Sequence, residues 1–382
     1  VTGVQTCALP IYYDADMYRA MALGELDVVR AGARALVAAG RFPSVEAVPG
    51  GVVPLAEPHA SRLLGPALAS GLIRVAGLAP DVALGAVNLG AYAALAVLLS
   101  LRFLRGGLPL GWGVLAGLAP YHAALGRYPT VPDALAALMA TLALISLLDR
   151  PARPAPAFAA AAFAVLARKT TLALALPALA LAALRRDGRA AAALAAAGLA
   201  AGYVVVSALR PVSTNIHGMS DLAYMLLKIP ASAAMNWLGV EFQTNTYAWC
   251  NAPLFTVDVS ALPGLGRMTE VGVCAPNPAR VLRTLAVTAT ILGALPWLAW
   301  RALRRRDAPA ETRLLAALAV LFLLAGPALG QTLERLFLYA QIPLMVGLPA
   351  FAAAAGVAPP RGLALSVAIT LTLCGHLLIA LG

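Results

Sequence analysis

The chain has 382 residues, of which 61% are hydrophobic and only 12% charged. Soluble domains carry about 25% charged residues, so this composition points to a bilayer and argues against a soluble globular protein. The formal charge of +11 does not indicate nucleic acid, because the arginines stand in short clusters between apolar runs, with no basic, aromatic-interleaved patch.

Residues 1–11, Val1-Thr2-Gly3-Val4-Gln5-Thr6-Cys7-Ala8-Leu9-Pro10-Ile11, look like the translation of a sequencing adapter and are set aside as non-native. The expectation is that a first membrane helix is missing ahead of Tyr12. Residues 12–78 are read as an extracytoplasmic loop with juxtamembrane helices. It opens on a polar cluster, Tyr12-Tyr13-Asp14-Ala15-Asp16-Met17-Tyr18-Arg19, in a chain poor in acids. From Met17 to Ala38 apolar residues alternate with charges as in amphipathic interfacial helices. Residues 41–58 are loop-like, rich in proline and glycine. His59 and Arg62 lead into an apolar segment ending near Gly77, where Arg74 favours a surface-lying helix over a span.

Residues 79–382 form the expected transmembrane domain. A membrane helix needs about 20 mostly apolar residues. Spans are predicted near 82–101, 109–126, 131–148, 155–168, 169–184, 190–209, 280–300, 314–330, 336–355 and 362–381, the fourth and fifth short enough for a re-entrant or tight hairpin. The fold class is therefore all-α: a polytopic transmembrane helical bundle with about 10 spans and interfacial helices.

Charge gives the orientation. With residues 12–60 outside, the inner connections hold Arg102, Arg105, Arg150, Arg153, Arg185, Arg186, Arg189, Arg301, Arg304, Arg305, Arg306, Arg313 and Arg361. The outer short connections hold only Arg127, Arg168, Lys169 and Arg335. That asymmetry follows the positive-inside rule. It gathers residues 12–59, 121–133, 168–169, 210–279 and 331–335 at one face, where a site is to be sought.

The 210–279 loop is too small for an independent enzyme domain. Residues 221–237 suit an interfacial helix, so the loop reads either as a lid packed on the bundle or as a specificity element. Cys250 and Cys274 lie on the oxidising side under this topology and are predicted to pair. Cys374, within an apolar run, reads as packing. No Walker-A, dinucleotide-binding, CxxC or HExxH motif occurs.

Asp14 and Asp16, two residues apart beside a bilayer, suit general-base or metal-assisted chemistry; Asp as a helix N-cap is the plainer alternative. A divalent metal held by Asp14, Asp16 and a histidine lacks supporting ligand spacing.

This aspartate-plus-tyrosine cluster resembles the first external loop of GT-C glycosyltransferases, polytopic enzymes that take a sugar from a polyprenyl-phosphate carrier. The resemblance continues through Arg62-Leu63-Leu64-Gly65-Pro66, a span ending in Arg102 and Arg105, Thr130-Val131-Pro132-Asp133, Ala167-Arg168-Lys169-Thr170, and Glu334-Arg335 before an apolar span with Pro343. The chain is similar to uncharacterised bacterial members of that class more than to protein mannosyltransferases or the aminoarabinose transferase of lipid A. Those branches carry Asp-Glu where this chain has Asp14-Ala15-Asp16, which leaves either aspartate as the base.

The resemblance implies an integral protein of the bacterial cytoplasmic membrane with an extracytoplasmic active face. Its partners would be membrane lipid and a polyprenyl-phosphate-linked sugar. Asp14 or Asp16 would take the proton of the acceptor. Arg62, Arg127, Arg168, Lys169 and Arg335 would hold the phosphate, as guanidinium groups do. Tyr18, His59, His122, Asp133 and Glu334 would support them. Each has a plainer reading: interface anchoring for the cations, helix capping for Asp133, an ion pair with Arg335 for Glu334, and belt hydrogen bonding for the histidines. The rival functions are a transporter or lipid flippase, which would place ionisable groups inside spans, and a catalytically degenerate membrane protein.

Overall fold

The computed structural model describes residues 18–19, 21–24, 62–107, 130–131, 133–149, 154–186, 188–209, 221–244, 247–248, 252–263, 265, 268–293, 295–326 and 338–356. Across these residues the protein is predominantly helical, as the composition leads one to expect, with one small antiparallel sheet added. The predicted spans at 109–126 and 362–381 lie outside the described residues.

Helix α1 (Leu64–Ala76) ends at Gly77, whose φ of 65° is open to glycine and strained for other residues. Helix α2 (Pro80–Arg105) starts with proline in its first turn, and Asp81 there complements the helix dipole. After it come α3 (Asp133–Asp149) and α4 (Pro154–Ala167). A 3-10 turn (Lys169–Leu174) then runs into α5 (Ala175–Leu184), and α6 (Arg189–Leu209) completes the first half.

The closest helix packing runs between α4 and α6, and glycine makes it possible. A Cβ on Gly198 would come within 2.3 Å of the Phe158 carbonyl oxygen, and one on Gly202 within 2.7 Å of that of Ala162. Facing them, α4 offers the buried alanines Ala157, Ala160, Ala161 and Ala164. Small residues four apart let two backbones touch, which is how helices associate where no hydrophobic force separates them from lipid.

The 210–279 segment holds the expected helix and, beyond the sequence reading, a small sheet. Helix α7 (Asp221–Leu238) is present, but four short strands follow it: β1 (Phe242–Thr244), β2 (Tyr247–Ala248), β3 (Phe255–Asp258) and β4 (Glu270–Val273). They pair antiparallel in the order β2-β1-β4-β3. Phe242, Thr244, Phe255, Val257, Val271 and Val273 supply aromatic and branched side chains that suit a pleated surface. The sheet is closed at its base where Asn277 N–H donates to the Gly239 carbonyl at 2.8 Å.

The predicted span at 280–300 is broken. Helix α8 (Pro278–Leu292) stops at Gly293, with φ 52°, and α9 (Leu295–Arg304) starts afresh. Helices α10 (Ala310–Ala325) and α11 (Leu338–Ala354) follow, and α11 carries Pro343 and Pro349 inside it.

Two helices, Pro80–Arg105 and Arg189–Ala208, are long and apolar enough to cross a membrane; Leu64–Ala76, Ala155–Ala167, Lys169–Leu184 and Ala340–Ala354 are apolar but shorter. Neither long helix is mainly a core helix. Val82, Leu89, Val97 and Leu101 on α2, and Val204 and Val205 on α6, are exposed, an apolar surface that water disfavours and lipid accepts.

The helix ends sort by charge. At the C-terminal end of α3, Asp149 takes a hydrogen bond from Arg102, and Arg185 donates to the Leu148 carbonyl at 3.1 Å and pairs with Glu311 at 2.9 Å. At its N-terminal end, Asp133 meets Arg168. The two ends are about 25 Å apart along a 17-residue helix.

Candidate functional site

At the Asp133 end, Arg168 occupies the break between α4 and the 3-10 turn, with extended backbone at φ −159°. Thr171 fixes that break: its N–H and its hydroxyl donate to the Arg168 carbonyl at 2.9 and 2.6 Å. The guanidinium is thereby turned toward α3, where Nη1 donates to Asp133 Oδ1 at 2.6 Å. Both side chains are buried, 8% and 5% exposed. The Arg168 Nε donor is buried with no hydrogen-bond partner.

The first turn of α3 also draws on a neighbouring helix. Asn88, buried in the N-terminal half of α2, accepts the Ala134 N–H at 3.2 Å, so one of the first amides of α3 is satisfied from a neighbouring helix. Asp133, the first residue of α3, faces Arg168. Next to Arg168, Lys169 places its ammonium 5.6 Å from the centre of the Tyr203 ring on α6.

A second cluster adjoins the first through α2. Tyr18 is fully buried among Ala22, Ala69, Ala83, Leu84 and Val131, and Val87 packs against both this cluster and the main core. Arg62 donates to the Tyr18 hydroxyl and stands 5.8 Å from its ring centre. Arg19 makes a two-pronged pair with Asp81, at 3.0 and 2.7 Å.

The site residues read from sequence therefore divide. Tyr18, Arg62, Asp133, Arg168 and Lys169 share one end of the helical assembly, on elements in mutual contact. Asp14, Asp16, His59, His122, Arg127, Glu334 and Arg335 lie outside the described residues. Cys274 is disulfide-bonded; its expected partner Cys250 also lies outside them. Asn88 and Asp81 were not anticipated. A lone amide in the apolar run 80–105 was the available signal for Asn88, since a polar group inside a span needs a partner.

Chemically, this end offers four cations, Arg19, Arg62, Arg168 and Lys169, against two described carboxylates, Asp81 and Asp133. Arginines held this way are suited to an anion. Among the described residues no group of three or more His, Cys, Asp and Glu is placed to hold a metal ion. The pocket between α3, α4, α5 and α6 is apolar, lined by residues such as Leu144, Leu147, Leu174 and Leu199, and takes no part in this chemistry.

No protein-family profile, curated protein or solved structure matches the chain.

Proposed function

We propose that the chain is an integral membrane glycosyltransferase of the GT-C type. It would be a polytopic bundle of about ten spans in the bacterial cytoplasmic membrane, moving a sugar from a polyprenyl-phosphate donor to an acceptor at the extracytoplasmic face. The observation that carries this reading is the cationic end itself. Arg168, anchored on Asp133, stands at the same end as Arg62 and Tyr18, opposite the arginine-rich end, and Tyr18 closely follows Asp14 and Asp16 in sequence. The short helices fit this reading as packed or broken spans. The 14 residues of α4 rise only about 21 Å, and in this reading α8 and α9 would share one crossing.

In the proposed step, Asp14 or Asp16 takes the proton from the acceptor hydroxyl or amine as that atom attacks the anomeric carbon. The bond from that carbon to the phosphate oxygen breaks, and the polyprenyl phosphate leaves with the electron pair, its charge met by the arginines and Lys169. A single displacement inverts the anomeric centre.

The test is sugar transfer from a polyprenyl-phosphate sugar by wild type, Asp14→Asn, Asp16→Asn and Arg168→Gln. Loss in one aspartate variant and in Arg168→Gln is expected. Undiminished transfer in both aspartate variants removes the base assignment, and lipid translocation without transfer moves the protein to the flippase class.

A further inference from the structure

Helix α9 carries two tryptophan–arginine stacks side by side. The Arg301 guanidinium carbon lies 5.2 Å from the Trp297 ring centre, and that of Arg304 lies 5.8 Å from the Trp300 ring centre. Each pair is spaced four residues apart, so each stack runs along the helix. At 3.6 residues per turn the four side chains fall within an arc of about 100°. Leu295, Leu298, Ala299 and Ala302 are buried on the opposite side. The helix is therefore fastened by one face and turns the two stacks outward, with Trp297 44% and Trp300 47% exposed.

The surroundings are positive. Between residues 301 and 313 five arginines stand against two acids, and both acids are engaged. Asp307 is held by Arg305 at 2.7 Å and Glu311 by Arg185 at 2.9 Å. Arg301 and Arg304 stay exposed. A guanidinium lying over an indole ring keeps its N–H edges directed sideways, so it can fork a phosphate while the ring remains beneath it. Free phosphate has no use for the rings. A lipid headgroup does, because indole rings settle at the boundary between headgroups and acyl chains. Trp297 stands about 4.5 Å further than Trp300 from the basic turn that follows, on the acyl-chain side.

We propose that the outer face of α9, made of Trp297, Trp300, Arg301 and Arg304, binds the headgroup phosphate of an anionic phospholipid at the arginine-rich end of the bundle. The proposal rests on the membrane reading of the chain and is independent of sugar transfer, so a negative transfer assay leaves it untouched.

The test uses the delipidated full chain in detergent, titrated with brominated phosphatidylglycerol or brominated phosphatidylcholine while tryptophan emission is followed. In wild type, quenching by phosphatidylglycerol is expected at roughly tenfold lower lipid fraction than by phosphatidylcholine. The double variant R301Q/R304Q, on the surface of the helix, is expected to keep its circular dichroism and lose that preference. R306Q, where no ring among the described residues stacks on the arginine, is expected to retain it. The proposal is overturned if wild type shows no preference or if R301Q/R304Q keeps it. It is equally overturned if R306Q abolishes the preference as fully, since the cluster then acts as diffuse charge. Displacement of the lipid by millimolar inorganic phosphate would reassign the face to free anions, and displacement by polyglutamate to an acidic protein.

Discussion

Arg168 and Asp133 meet at 2.6 Å inside an apolar helical assembly, with both side chains less than a tenth exposed. Removing one partner strands a buried charge, at a cost of about 3–5 kcal/mol. Asp133→Asn and Arg168→Gln are therefore each expected to lower stability by that order, while an Asp133→Leu/Arg168→Met pair loses less than the sum. Denaturation of the purified protein in detergent checks this, and strict additivity would show that the two side chains are not coupled.

The α4–α6 seam makes a different demand. With the Gly198 Cβ position 2.3 Å from the Phe158 carbonyl, Gly198→Val must push the two helices apart. Overpacking of this kind costs about 1–3 kcal/mol. Gly71→Val, where nothing lies within 4 Å of the added Cβ, is the matched control. A lower melting temperature in the Gly198 variant alone is the expected result, and equal effects would place the seam elsewhere.

The Arg305–Asp307 turn titrates in a known direction. Hydrogen bonding from Arg305 to both Asp307 oxygens, at 2.8 and 2.7 Å, holds the Asp307 carboxyl down at about 2. Its ordinary value is about 3.9. Since the folded value is the lower one, the order this pair gives the turn is full above pH about 4 and is lost as pH falls through about 2. Arg305→Gln is expected to return the Asp307 titration, followed by carboxyl carbon NMR, toward about 3.9. An unmoved midpoint would mean that Arg305 is not the cause.

Cys274 is disulfide-bonded, and the expected partner is Cys250. Closing the segment between them stabilises a folded chain by about 2–4 kcal/mol in the chain-entropy view. Non-reducing peptide mapping is expected to find the two half-cystines in one species. Cys250→Ser is expected to expose one thiol more than wild type and lower the melting temperature, and a Cys274 that stays oxidised in Cys250→Ser would point to another partner.

Much of this was legible in the residues. The long apolar runs and the arginine clusters located α2, α3 and α6, because long runs of one residue class leave little choice of structure. Asp133 and Arg168 were singled out separately as candidates. Their union was not foreseen, because it depends on how α3 and the α4 hairpin lie against each other. Asn88 was missed for the same reason: its role is fixed by a helix 46 residues away. The sheet went unseen because strands of two to four residues show no alternation long enough to register. Gly198 and Gly202 went unremarked, because glycines one helical turn apart do not stand out among so many alanines.

Helix α3 is tied at both ends, at Asp133 to Arg168 and at Asp149 to Arg102. A slide of one helical turn, about 5.4 Å, would break both ties together and leave Asn88 without the Ala134 amide. The helix therefore behaves as a fixed strut between the two faces of the protein. Sliding of α3 against its neighbours is thereby resisted at both faces, whereas the chain between α8 and α9 is interrupted at Gly293.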